Sequence, residues 1–182
     1  MHHLTTNELE ARLDEVMQSP KDHGVLEMIV RRPAVGAREI LEEGQLDPAD
    51  GLVGDSWKLR SSRRTADGTP HPDMQLNLIN SRLVALVARE RSRWHLAGDQ
   101  LYVDLDLSEA NLPPGTRLAI GSAVIEVTAE PHTGCSKFVE RFGLDAMKFV
   151  NAPERKDLHL RGINARVVHP GVVRAGDPVN KL

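Results

Sequence analysis

A mainly β protein that closes into a barrel, with a few short helices at its margin, is the fold predicted by the 182-residue sequence. Three observations lead there. Short apolar runs recur between Gly- and Pro-containing turns, the punctuation of strands rather than of long helices. Leu101, Val103, Leu105 and Leu107 alternate with Tyr102, Asp104 and Asp106, a period-2 strand with one wet face. Helical periodicity is confined to brief stretches, and closure is how all-β chains remove exposed sheet edges.

The elements follow in order. Thr5-Thr6-Asn7-Glu8 fits a capping box. Leu9, Leu13, Val16 and Met17 then share one helical face, so residues 1–24 are expected to hold an amphipathic helix packed on a barrel of residues 25–182. Val25 to Val30 reads as a strand, and Arg38 to Glu42 as a short helical piece stopped at Gly44. Gln45 to Pro72 reads as long loops punctuated by Leu52, Val53 and Trp57. Asn80-Ser81 caps a helix through Leu83, Leu86 and Val87. Arg117 to Ile120 and Ala123 to Ala129 form a hairpin whose Gly121-Ser122 corner suits a type II′ turn. A helical patch runs from Cys135 to Phe142 and ends at Gly143; another covers Leu144 to Val150. Gly162 to Val168 and Val172 to Val179 are the last two strands, separated by a His169-Pro170-Gly171 turn.

Composition excludes several classes. Aromatics make up 3% of the chain, so the stacking platforms of single-stranded nucleic-acid binders are not available. A net charge of −3 from near-balanced acids and bases argues against bulk attraction to DNA or anionic membrane. There is no apolar run of about 18 residues to span a bilayer. Met1 to Thr6 lacks a basic region and an apolar region, and the single cysteine precludes an internal disulfide, so a cytoplasmic, reducing location is expected.

The sharpest chemical feature is His132-Thr133-Gly134-Cys135-Ser136-Lys137, placed between a strand and a helix. Unpaired N–H groups at a helix start favour a thiolate, as would Lys137 and a protonated His132. Against this, a lone cysteine is commonly a small buried hydrophobe. His132 and Cys135 supply half of a zinc site, and the other histidines offer no ligand-like spacing to complete it. A basic stretch, Lys58-Leu59-Arg60-Ser61-Ser62-Arg63-Arg64, offers planar guanidinium forks to an oxyanion, or is simply a solvated charge run. Arg161 is a further candidate of that kind. Gly54-Asp55, Gly98-Asp99 and Gly176-Asp177 read as turns, and the phosphate-loop, dinucleotide, zincin and C-x-x-C motifs are absent.

Taken together, Gly51 to Asp55, Gly98 to Leu101, Pro114 to Gly121, Ile125 to Thr128, Cys135, Arg161 to Val167, Gly171 and Gly176-Asp177 resemble, in that order, the molybdenum-cofactor sulfurase C-terminal (MOSC) domain family. The resemblance runs from about residue 25 onward and implies a MOSC-type, pyruvate-kinase-barrel-like β-barrel with a few short peripheral helices. It makes Cys135 the functional residue, as persulfide carrier or molybdenum ligand, with Lys137 and His132 beside it. Arg60, Arg63, Arg161, Asp55 and Gln100 are then expected to bind molybdenum cofactor (molybdopterin). Pyridoxal phosphate would belong only to a partner cysteine desulfurase. Two departures stand out: many relatives carry Pro before the cysteine, where Gly134 stands here, and Asn where Gln100 stands.

The resemblance implies sulfur transfer, with a desulfurase as partner, or reduction of N-hydroxylated substrates, with an electron-transfer partner. Two rivals remain: a non-catalytic barrel binding an anion or a protein, and a thiol hydrolase with a histidine within hydrogen-bond reach of Cys135.

Overall fold

A computed structural model describes residues 3–182. The expectations about the chain start that fall on Met1 and His2 lie outside the described residues. The chain runs α1 (Thr6–Glu10), α2 (Leu13–Met17), β1 (Gly24–Arg31), β2 (Glu39–Leu41), β3 (Glu43–Asp47), β4 (Gly51–Leu52), β5 (Leu76–Asn80), α3 (Ser81–Ala88), β6 (Leu101–Asp104), β7 (Arg117–Ile120), β8 (Ala123–Val127), α4 (Ser136–Phe142), α5 (Leu144–Val150), β9 (Ile163–His169), β10 (Gly171–Arg174) and β11 (Pro178–Lys181).

Seven strands close a barrel in the order β11-β7-β8-β9-β5-β6-β1, with β1 returning to β11 through Gly24↔Val179 and Val25↔Pro178. The β5–β6 pair is parallel and its neighbours in the ring are antiparallel, because α3 carries the chain back across the sheet between them. Strand β2 extends the sheet beyond β1, and β10, β3 and β4 form a second, three-stranded sheet.

Two apolar cores follow from the strand parity. Leu26, Ile29, Leu76, Leu78, Leu101 and Val103 point into the barrel. Met28, Val30, Ile79 and Tyr102, on the opposite face of β1, β5 and β6, meet Leu9, Leu83, Phe138, Phe142 and Phe149 from the helices. Both Leu26 and Ile29 face inward despite odd spacing because the β1–β6 register shifts between Leu26 and Met28. Each such large side chain contributes about 1.5–3 kcal/mol of burial free energy. The helical layer thereby fixes the position of α4, whose N-terminal flank is Cys135.

Several elements differ from expectation. The wet face of the 101–107 strand is dry at Tyr102, which lies under the helices, and the strand ends at Asp104. Arg38 to Glu42 is not helical: β2 pairs Ile40 with Val30 and Leu41 with Ile29, and that pairing outweighs local helix propensity. The 45–72 loops contain most of β3 and all of β4, and β5 carried too short an apolar run to be read. The first helix is broken into α1 and α2, although its Thr5–Glu8 capping box forms. The last strand divides into β10 and β11 around Gly176. Among the described residues, no helix is long and apolar enough to cross a membrane.

Candidate functional site

Cys135 is exposed and is the N-cap residue of α4, with no capping hydrogen bond from its side chain. The loop leading to it, between β8 and α4, is held at two points. His132 Nε2 lies 2.7 Å from Asp99 Oδ1, and the Gly134 N–H donates to Asn151 Oδ1 at 2.8 Å. Thiol and loop therefore have different freedoms: the backbone is tied down while the sulfur stays open.

Asp99 is fully buried and receives a second partner, the Arg161 guanidinium, whose NH1 sits 2.9 and 2.8 Å from the two carboxylate oxygens. Burial would raise the Asp99 carboxyl, but Arg161 and then His132 outweigh it and hold it below the ordinary carboxylate range. Burial, helped by the Arg161 charge, pushes His132 below its ordinary value even though Asp99 opposes this. The consistent state is an ionised Asp99, a charged Arg161 and a neutral His132 that donates its Nε2–H. The expectation that a protonated His132 favours the thiolate is thus corrected: burial keeps the ring neutral and Asp99 engages it. Asp99 itself, read as a turn residue, is instead the anchor of the loop.

The 96–98 turn collects arginines through its carbonyls. Arg141 donates to Leu96 O, Arg161 to Ala97 O and Arg32 to Gly98 O. A Cβ at Gly98, where φ is +87°, would stand 3.2 Å from Arg38 and 3.6 Å from Arg141, so Gly leaves room for both guanidinium groups. Arg60 binds Ser56 Oγ through Nε and NH2 and feels Arg32, Asp55 and Arg38. Burial, then Arg141 and Arg32, hold Arg38 below its ordinary value, and its buried Nε has no hydrogen-bond partner. Three guanidinium groups, those of Arg32, Arg38 and Arg60, therefore share the field of one carboxylate, Asp55.

That carboxylate is already committed. Asp55 accepts from Arg32 Nε and NH2 at 2.9 Å each and from the backbone N–H groups of Arg32 and Trp57. Burial would raise Asp55, but the Arg32 fork holds it low. Gln100, fully buried, accepts from Asn77 N–H and donates to Gln75 O. Asp55 and Gln100, expected to touch cofactor, instead shape the floor beneath the arginines. Their polar atoms face protein partners.

Of the other expected residues, Lys137 and Arg63 are exposed. Arg161 is buried, stacks 5.0 Å over the Phe138 ring and is tied to Asp99, which makes it a loop-holding group rather than a free anion binder. Arg60 does join the cationic cluster. Of the members that sequence reading missed, Arg32 and Arg38 lie in the loop between β1 and β2 and Arg141 lies on α4, and no local spacing joins them. Among the described residues no group of three His, Cys, Asp or Glu side chains could hold a metal ion. A cleft of about 760 Å³ is lined by His132, Thr133, Asn151 and Arg161 together with apolar side chains that include Val127 and Ile163.

Comparison with known proteins places these features in context. The family model described as MOSC domain matches residues 69–180. No curated protein matches the chain. Among solved structures, the YuaD protein from Bacillus subtilis is similar at 18% identity over 87% of this chain and 94% of its own, with a TM-score of 0.61. YiiM from Escherichia coli is similar at 23% identity over 87% of this chain and 69% of its own, with a TM-score of 0.54. At such identities the likeness concerns the fold.

Proposed function

The chain belongs to the MOSC domain family, and from that premise we propose that Cys135 is its reactive group, carrying sulfur as a persulfide or ligating molybdenum. The family supports a general molybdenum-cofactor-associated role. The observation that carries the finer reading is an exposed thiol at the end of a loop held through His132 and Gly134.

The residues present fit an anionic pterin cofactor. Arg38, with its unpartnered buried Nε, and Arg60 would hold the anionic end, since Asp55 is neutralised by Arg32. Cys135 would offer its thiolate to the metal. When bound, the cofactor supplies a metal centre competent for sulfur or oxygen transfer. The protein's own residues hold the loop, present the sulfur and balance charge.

As a carrier, the Cys135 thiolate attacks the outer sulfur of a donor persulfide. One S–S bond forms as the donor's S–S bond breaks, and the donor leaves as a thiolate. A cysteine desulfurase, bearing its own pyridoxal phosphate, is the donor this reading requires, in a reducing cytoplasmic compartment. The alternative of a molybdenum-dependent reductase of N-hydroxylated substrates would need a separate electron-transfer partner, and the cleft beside His132 and Thr133 gives a substrate access to the same loop.

The test is Cys135→Ser in a cofactor-competent host. The reading expects the variant to fold normally, because the thiol is exposed, and to lose both persulfide and retained molybdenum. Equal cofactor content and equal labelling for sulfane sulfur in variant and wild type would overturn it.

A further inference from the structure

We propose that Asn151 is a positioning residue for Cys135, acting through both backbone polar groups of Gly134; this rests on the reading of Cys135 as the reactive group. Asn151 follows the last residue of α5, and its carboxamide meets Gly134 as a second peptide unit would. Its Oδ1 accepts the Gly134 N–H at 2.8 Å, and its Nδ2 donates to Gly134 O at 3.2 Å. Nδ2 also lies 3.2 Å from Met147 Sδ, one turn back on α5, which steadies the amide plane.

Gly134 belongs to neither β8 nor α4, so no ladder or helix satisfies its N–H and C=O, and Asn151 takes that place. The fit is close. A Cβ at Gly134 would stand 3.3 Å from Asn151 Nδ2 and 3.3 Å from Val150 Cγ2, so the grip works at a residue without a side chain. A proline at this position would have no N–H to donate. Here two hydrogen bonds supply the restraint that a ring would otherwise impose. With His132 tied to Asp99 at the other end of the loop, Asn151 is the nearer of the two holds, one residue from Cys135.

Two measurements on the full chain test this: hydrogen exchange at the Gly134 amide, and the limiting rate of iodoacetamide alkylation of Cys135 at high pH. At high pH the thiol is fully ionised, so the limiting rate reports how the thiolate is presented rather than what fraction of it is ionised. Asn151→Ala is expected to speed Gly134 exchange about tenfold and shift the limiting alkylation rate at least about threefold, with an unchanged circular dichroism spectrum. Asn151→Asp keeps the acceptor for the Gly134 N–H but loses the donor to Gly134 O, so it should retain the amide protection while its alkylation rate lies between those of wild type and the alanine variant. It also serves should the alanine variant fail to fold. Wild-type exchange and alkylation in Asn151→Ala, or loss of protection in Asn151→Asp equal to that in the alanine variant, would overturn the proposal. Neither measurement needs cofactor or sulfur on Cys135, so a failure here is distinct from a failure of the Cys135→Ser test.

Discussion

Asp99 holds His132 at 2.7 Å and Arg161 at 2.8 Å on one buried carboxylate, and through this pair of contacts the 96–99 turn determines where the Cys135 loop begins. Neither partner is near Asp99 in sequence. Both depend on its charge.

Removing that charge should therefore be costly. Asp99→Ala leaves Arg161 buried without its counter-ion, and the loss of one partner of a buried pair typically costs about 3–5 kcal/mol. Urea unfolding is expected to show a shift of that order, with the Cys135 loop losing amide protection before the barrel does. A shift below about 1 kcal/mol would mean that Arg161 finds another partner.

The neutral state of His132 predicts a pH dependence. Its folded pKa is depressed, so in mildly acid solution the unfolded chain binds a proton that the folded chain refuses. Stability should accordingly hold at neutral pH and fall as pH drops below about 6.5, the unfolded value. Thermal scans between mildly alkaline and mildly acidic buffers should show this for the wild type. A His132→Gln variant should show a weaker slope in the same window.

Arg38 sits among like charges with a buried, unpartnered Nε. Replacing it by Gln should raise stability by up to about 1 kcal/mol in protein without cofactor, while lowering cofactor retention. Calorimetry and molybdenum analysis on the same preparation read the two opposite effects. A change in which both fall together would point to a purely structural arginine.

At Gly162, φ is +115° and an added Cβ would lie 2.1 Å from Leu78 O on the neighbouring strand. Gly162→Ala should destabilise the protein by more than about 2 kcal/mol, from backbone strain plus separation of β5 from β9. Chemical denaturation checks the magnitude.

Much of the barrel was legible because its strands carry local marks. The Arg117–Ala129 hairpin, with Gly121 at φ +55°, and the helices flanking Gly143 lie where turn chemistry and apolar spacing put them. Strands β2 and β4 were not legible, since they are three and two residues long and owe their conformation to partners elsewhere in the chain. The same holds at the site. Cys135 is marked by its position between a strand and a helix, and Arg60 by its charge run. Arg32 and Arg38, Arg141, and Asp99 come from three segments that meet only in the folded chain, and a buried Arg–Asp pair looks in sequence like two surface charges.

The ring of strands closes where β11 meets β1, through residues more than 150 positions apart in the chain. During synthesis the first strand must wait, with one edge unpaired, until residues past Pro178 have left the ribosome. Only local pieces such as the β7–β8 hairpin can form earlier. Completion of the barrel therefore waits on β11, whatever has folded before it. A stalled or truncated nascent chain would expose the β1 edge to chaperones or to other copies of itself.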